Sequence, residues 1–156
     1  MSLRERIQED TTAAMRSGDV LRRDVLRMAS NAAYNLEKQQ LRDLTEDELI
    51  GVLTREVKQR RESIDAYRAG GREDLASREE AELAILTEYL PAPLSEEQLD
   101  ALVAEGIAAT GSATPRDLGK VMGWLAPRPR GRADGKIVSQ KVAAALAALA
   151  VPEPGG

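Results

Sequence analysis

The sequence contains no cysteine, no histidine and no phenylalanine, and aromatic residues make up only 3% of its 156 positions. Without cysteine the chain has no disulfide and no thiol chemistry, and without histidine it lacks the commonest general base and metal ligand. It has no stretch of about 20 apolar residues, and its N-terminus leads into no apolar signal region. These absences predict a soluble cytoplasmic protein with no membrane partner, no metal site and no cofactor.

What is present is typical of a helical protein. Charged residues make up 31% of the chain, and its apolar residues are mostly leucine, alanine, valine and isoleucine. A chain of this length can bury roughly 68–70% of its unfolded surface, which suffices for one domain or two small packed lobes. No segment has the period-two alternation of a strand, so we expect an all-α fold.

Helix start and stop signals divide residues 1–90 into four helices. The first should end near Gly18, and the residue after it can cap the second. Thr45-Glu46-Asp47-Glu48 is a capping box that opens a third helix, which the glycine pair Gly70-Gly71 ends. A fourth should run from about Arg72 to Leu90, antiparallel to the third. The side chains predicted to face inward in the first two helices are Leu3, Ile7, Thr11, Ala14, Met15, Leu21, Val25, Met28, Ala29, Ala32 and Leu36.

Prolines and a second capping box mark a C-terminal lobe of three helices, residues 95–150. Pro91-Ala92-Pro93 lies in a linker, residues 91–94, and Ser95-Glu96-Glu97-Gln98 opens the first of these helices. The other two are predicted from Pro115 to about Ala126 and from about Gly135 to Ala150. Residues 151–156 should form a disordered tail. The sequence therefore predicts two all-helical lobes, the N-terminal one larger.

A short basic segment stands out in a chain whose net charge is −4. Between Arg116 and Lys141 there are seven lysine and arginine residues against two acids. Solvated loops usually carry charge, so the segment could simply be a basic connection between helices. Pro127 and Pro129, however, stiffen it and so present the neighbouring arginines in a defined direction.

Glycines in and around this segment point to an anion. Gly119 and Gly123 lie one helical turn apart and each costs roughly 1 kcal/mol relative to alanine, so a close approach to that backbone is indicated. Gly131 and Gly135 bracket a turn whose N–H groups could receive an anion if Asp134 or its neighbour begins the last helix. The interpretation we favour is a phosphate-binding surface.

These residues also carry a resemblance to a known family. The run Gly119-Lys120-Val121-Met122-Gly123, followed by proline, a basic stretch and Gly131-Arg132-Ala133-Asp134-Gly135-Lys136, resembles the signature of the GatB/YqeY family. Further stretches with the same resemblance are Arg55-Glu56-Val57-Lys58-Gln59-Arg60-Arg61, Gly71-Arg72-Glu73-Asp74-Leu75 and Glu88-Tyr89-Leu90-Pro91. The family comprises small stand-alone YqeY-like proteins and the tail domain of the B subunit of the tRNA-dependent Asn/Gln amidotransferase. This chain is closer to the stand-alone members.

The resemblance implies a tRNA- or RNA-binding accessory module. The family carries an association with carbon–nitrogen ligase activity that uses glutamine as amide donor, but that chemistry belongs to other domains, and we expect no catalytic residue here. The candidate nucleic-acid-binding residues are Lys120, Arg128, Arg130, Arg132, Lys136, Gly119, Gly123 and Gly131. The alternative is an adaptor whose basic loop docks an amidotransferase or aminoacyl-tRNA synthetase subunit.

Three other features have two interpretations each. Trp124 could stack on a base, but a lone tryptophan near a helix end is more often core. The basic run from Arg55 to Arg61 is interleaved with acids, which is typical of a solvated helix face with i,i+4 pairs. The turn that begins at Gly131 resembles a P-loop only superficially, because it is one residue short and Ile137 replaces the required Ser or Thr.

Overall fold

Every regular element among the residues that the computed structural model describes, 1–129 and 132–150, is a helix. The prediction of an all-α fold is therefore confirmed. The predicted tail, residues 151–156, and two predicted site residues, Arg130 and Gly131, lie outside the described residues. The helices are α1 (Leu3–Ser17), α2 (Val20–Gln40), α3 (Glu46–Ala69), α4 (Glu73–Thr87), α5 (Glu96–Thr110), α6 (Leu118–Leu125) and α7 (Gly135–Ala150).

The helix ends follow local backbone chemistry. Thr45 and Glu48 form the predicted capping box before α3, and Ser95 and Gln98 form the one before α5. Arg42 bonds the Glu48 carboxylate, and this contact together with the Thr45 N–H lowers the pKa of Glu48 to about 2. Gly18 ends α1 with a left-handed φ of 79°, a conformation that glycine adopts without steric cost.

Two predicted boundaries differ from the structure. The fourth helix stops at Thr87, because the N–H groups of the next three residues donate to carbonyls three positions back, which tightens the chain ahead of Pro91. The helix predicted from Pro115 begins as a 3₁₀ turn, Pro115–Asp117, and becomes α-helical only as α6. The end of that helix near Ala126 agrees with the prediction.

The described residues divide into two compact units, Met1–Pro91 and a second that begins at Ala92. In the first unit, α3 and α4 form a hairpin across the predicted glycine pair, and α1 and α2 pack with them. Each unit has its own apolar core. The core of the first consists of Ile7, Val25, Leu26, Ala29, Ala33, Leu44, Leu49, Val52, Leu53, Val57, Ile85, Leu86 and Tyr89.

The predicted inward faces of α1 and α2 are partly wrong. The helical periodicity predicts Met15 and Met28 in the core, yet they are 53% and 52% exposed, and Leu21 is also exposed. Leu26 is not among the predicted inward residues and is fully buried. Helix α2 carries apolar side chains around more than one face, so its periodicity allows two rotations, and contact with the other helices selects the one that buries Leu26.

Arg60 also departs from the sequence interpretation of a solvated basic face. Its side chain is only 5% exposed, and its Nη1 donates to Glu56 Oε2 at 3.0 Å. The Nε lies 3.4 Å from Glu82 Oε2, so the guanidinium joins α3 to α4. The exposed cations of this run are Arg55, Lys58 and Arg61. The predicted i,i+4 pairing is present between Glu56 and Arg60, but the Arg60 side chain is buried and does not lie on a solvated face.

The segment Glu88-Tyr89-Leu90-Pro91 closes the first unit through polar contacts. The Tyr89 hydroxyl donates to Asp10 Oδ2 at 2.6 Å, and the Arg6 guanidinium lies over the Tyr89 ring. Arg22 donates two hydrogen bonds to the Glu88 carboxylate, the shorter at 2.6 Å. Burial, with the bond to Asp10, raises the pKa of Tyr89 to about 12. These contacts hold the end of α4 against α1 and α2.

We expect Tyr89→Phe to lower the free energy of unfolding by about 1–2 kcal/mol, because Asp10 loses its hydroxyl partner. The folded-state pKa of Tyr89 lies above its unfolded value of 10.0, so its contribution is present below pH 10 and is lost as pH rises toward 12. Urea unfolding followed by circular dichroism, at neutral pH and on either side of pH 10, measures both effects. Tyr34→Phe is the control, because Tyr34 is 60% exposed. Equal stability of the two variants at neutral pH would contradict the role given to Tyr89.

Candidate nucleic-acid interface

Helix α6 buries one face and exposes the other, and this determines which of the predicted residues a ligand can contact. Val121 and Leu125 are fully buried among side chains of α5 and α7. Gly119, Lys120 and Gly123 are exposed. The helix therefore turns both glycines and a lysine outward.

The close approach predicted for the α6 glycines occurs at another glycine. A Cβ added at Gly106 of α5 would meet Trp124 Cε3 at 3.0 Å and Val121 Cγ1 at 3.4 Å. At Gly119 and Gly123, no atom of the described chain would lie within 4 Å of an added Cβ, apart from immediate neighbours and the helix backbone itself. Packing within the described chain therefore explains Gly106 but not the glycines of α6, whose role in binding stays a prediction.

Trp124 packs against the C-terminal core, as the core interpretation predicted. The Arg128 guanidinium lies 3.5 Å from the centre of its ring, and Arg128 Nη1 donates to the Trp124 carbonyl. The Arg128 N–H also donates to the Leu125 carbonyl at 2.9 Å. Arg128 thus closes α6 at the end where a cation is favourable, and it covers the ring of the tryptophan.

Arg132 links two separate segments of the second unit by hydrogen bonds. Its Nε donates to the Ala92 carbonyl at 2.8 Å, and its own carbonyl accepts from the Leu94 N–H at 2.8 Å. These bonds join the segment before α5 to the segment before α7. The two helices therefore start side by side and run in the same direction.

Lys136 is exposed in the first turn of α7, but the anion site expected at this helix start is partly filled. The Lys136 N–H donates to Asp134 Oδ1 at 2.8 Å, so a carboxylate of the chain itself receives one of the helix-terminal N–H groups. A phosphate at this position would have to displace Asp134. Lys136 can contribute its side-chain charge, whereas its own N–H is already bonded to Asp134.

Arg116 is an exposed cation that the list of predicted site residues omitted. It lies in the 3₁₀ turn directly before α6, four residues before Lys120. The adjacent Asp117 is bound by the turn: its carboxylate accepts from the Ala113 N–H at 3.0 Å and the Thr114 N–H at 3.2 Å, and these bonds lower its pKa. The signal in the sequence was its place in the basic segment, four residues before Lys120. We call Arg116, Gly119, Lys120, Gly123 and Arg128 the α6 face.

The fold and the α6 face together define a class of protein: small and all-helical, with a basic helix face on the second unit. Within the described residues, no helix is both long and apolar enough to cross a membrane. The profile of the family described as Yqey-like protein matches residues 4–146, and the chain belongs to that family. The resemblance noted from the motifs is thereby confirmed.

Two fungal relatives extend the comparison. Both are called altered inheritance of mitochondria protein 41, mitochondrial. The one from Pyrenophora tritici-repentis is 30% identical over 141 residues, covering 88% of this chain and 77% of the relative. The one from Lachancea thermotolerans is 29% identical over 143 residues, covering 87% and 76%. Because these relatives are mitochondrial by name, the cytoplasmic location of this chain stays a prediction.

The contact between Gly106 and Trp124 predicts that Gly106→Val will destabilise the second unit by about 1–3 kcal/mol, because added methyl groups would force the indole from its place. Ala109→Val is the control, since Ala109 is an exposed residue of the same helix. Trp124 is the only tryptophan, so its fluorescence during urea unfolding reports on this unit. If Gly106→Val unfolds at the same urea concentration as Ala109→Val, the packing role of Gly106 is wrong.

Proposed function

We propose that this protein binds structured RNA, with tRNA as the leading ligand, through phosphate contacts to the α6 face. The single observation that supports this most is the exposed glycine pair beside Lys120 and Arg116. A glycine inside a helix, such as Gly123, is costly, and at both Gly123 and Gly119, which lies in the first turn of α6, no atom of the described chain would contact an added Cβ. A bound backbone that lies directly on the helix accounts for both features.

The chemistry of the face favours phosphate and ribose over bases. Glycines expose helix backbone to close approach, while lysine and arginine supply charges that neutralise phosphates. The ring of Trp124 is covered by Arg128 on one side and contacts Gly106, so it offers no free platform for base stacking. Recognition would therefore rest on RNA shape and backbone, as is usual for helical RNA.

The resemblance to the GatB/YqeY family also supports RNA binding. The chain resembles the part of the amidotransferase B subunit that is implicated in holding tRNA, without the parts that perform the amide chemistry. The proposed function is accordingly binding, with the ligase association inherited from larger relatives. An adaptor that docks an amidotransferase or synthetase subunit would use the same cations, and salt-dependent tRNA binding by the isolated protein separates the two functions.

Removal of charge from the α6 face tests the proposal. The double variant Arg116→Ala, Lys120→Ala should bind tRNA transcripts of different sequence more weakly by similar factors, because phosphate contacts carry no sequence information. Each lost contact should flatten the plot of log affinity against log salt by roughly 0.7–0.9, measured by filter binding between about 50 and 200 mM salt. Arg55→Ala, Lys58→Ala removes two exposed cations of α3 and is the matched control.

Arg60 is unsuitable as a control, because its guanidinium is buried between α3 and α4 and its loss would damage the first unit. If the α6 double variant and the α3 double variant bind tRNA equally at every salt concentration, the α6 face is not the binding surface. Parent protein that fails to bind any tRNA at low salt would overturn the proposed function itself.

The open space above Gly123 gives a second, charge-independent test. Gly123→Leu should keep or raise stability, by up to about 1 kcal/mol, because leucine is the better helix former and its Cβ meets no atom of the described chain within 4 Å. The same variant should weaken tRNA binding, since the side chain fills the space that the RNA backbone needs. Gly51→Leu is the control, because Gly51 also lies within a helix with no atom near an added Cβ. Unchanged affinity of Gly123→Leu for tRNA would remove the glycine argument.

A further inference from the structure

Helix α7 is more apolar than its contacts require. From Val142 to Ala150 it has no polar side chain, yet only one face, through Val138, Val142 and Leu146, is buried. Leu149 is 58% exposed. A helix that is apolar around most of its circumference is normally covered on more than one side. Part of α7 thus offers an apolar surface to a partner.

This surface forms one wall of a groove between α5 and α7, with a volume of about 690 Å³. Its sides are apolar and mostly small: Ala104, Ile107 and Ala108 from α5, and Ala145, Ala148 and Leu149 from α7. No residue of α6 lines it. The groove is therefore separate from the α6 face. Because it extends from Asp100 to Gly111 along α5, it is about 16 Å long, which matches three turns of a helix.

The polar side chains that line the groove, Asp100, Lys141 and Ser112, lie at its ends and are hydrogen-bonded to each other or to a neighbouring residue. At one end Lys141 Nζ contacts Asp100 Oδ1 at 2.7 Å and Glu96 Oε1 at 3.4 Å. At the other end the hydroxyls of Thr110 and Ser112 lie 2.6 Å apart. The middle of the groove has only apolar and small side chains. A long apolar surface with polar groups only at its ends suits the apolar stripe of a helix better than a polar small molecule.

The charged residues beside the groove favour a basic helix as its ligand. At the Asp100 end of the groove, α5 carries Glu96, Glu97 and Asp100, against Lys141 alone on α7, which bonds Glu96 and Asp100. Both helices also end at the same end of the groove, where their last carbonyls add partial negative charge. The edge is therefore electronegative, which repels nucleic acid and attracts cations.

We propose that the groove between α5 and α7 binds an amphipathic helix of a partner protein, with the partner's apolar stripe between the alanines and its lysine or arginine side chains along the acidic edge of α5. Apolar anchors at i, i+3 or i+4, and i+7 would enter the groove. Basic residues beside that stripe would contact Glu96, Glu97 and Asp100. The protein would then have two binding surfaces on one unit, a basic one for RNA and an acidic one for a basic helix.

The probes are designed helical peptides of about 18 residues with a Leu/Ala stripe, in three registers, flanked by lysine in one set and by glutamate in the other. Binding to the full chain is measured by fluorescence anisotropy. At least one lysine-flanked peptide should bind, and its glutamate-flanked counterpart should bind about tenfold more weakly or less. Ala104→Gln, Ala148→Gln places polar side chains in the groove and should reduce affinity by about tenfold.

Ala101→Gln, Ala147→Gln is the matched control, because both alanines are exposed on the same two helices but do not line the groove. This control should bind the peptide as the parent does, and circular dichroism should show equal helicity for both double variants. The groove variant should keep its affinity for tRNA, which separates this proposal from the proposed RNA function.

Four results would overturn the proposal. They are no binding by any lysine-flanked peptide, equal binding of both charge sets, parental affinity in the groove variant, and equal loss in the control. Two further results would assign the groove to another occupant. Concentration-dependent dimerisation in sedimentation, lost in the groove variant, would indicate a second copy of this chain. Peptide binding that requires deletion of residues 151–156 would indicate that this segment fills the groove.

Discussion

The close contact between Gly106 and Trp124 is the constraint on which the second unit depends. Glycine at this position lets the indole lie close against the backbone of α5, and the indole in turn carries Arg128 over its ring. This contact sets the rotation of α6, since Val121 must face the core next to Trp124. Gly119, Lys120 and Gly123 are outward-facing as a consequence. The proposed RNA surface is thus the face of α6 opposite to the face that packs against the core.

Several residues of the motifs that resemble the family serve the architecture. Tyr89 and Glu88 hold the end of α4 through Asp10 and Arg22, and Arg60 joins two helices from a buried position. Arg132 ties the starts of α5 and α7 together. Basic residues in these motifs therefore cannot be counted as ligand contacts by their charge alone. Their hydrogen-bond partners separate structural cations from those that a ligand can reach.

The second unit presents two surfaces of opposite character. The α6 face combines cations with bare helix backbone, whereas the groove between α5 and α7 combines apolar walls with a carboxylate edge. By charge, a polyanion would favour the first over the second, so the two proposed ligands would not compete for one site. An accessory protein that holds an RNA and a protein helix at once would bring the two together without any chemistry of its own.

The sequence by itself determined the all-helical class, the capping boxes at Thr45 and Ser95, and the glycine that ends α1. These are decided within one helical turn, by hydrogen bonds to neighbouring N–H groups and by backbone sterics. The local signals were also enough to place the basic segment and Lys120.

The tertiary structure decided what depends on contacts between helices distant in sequence. In the folded protein, Leu26 lies in the core and Met28 does not. Arg60 is buried beside Glu82, and the close glycine contact occurs at Gly106 and not at Gly119. Periodicity cannot make these choices, because an apolar residue or a glycine looks the same in sequence whether a neighbouring helix covers it or not. Only the fold brings the side chain of Trp124 to one glycine and leaves open space above another.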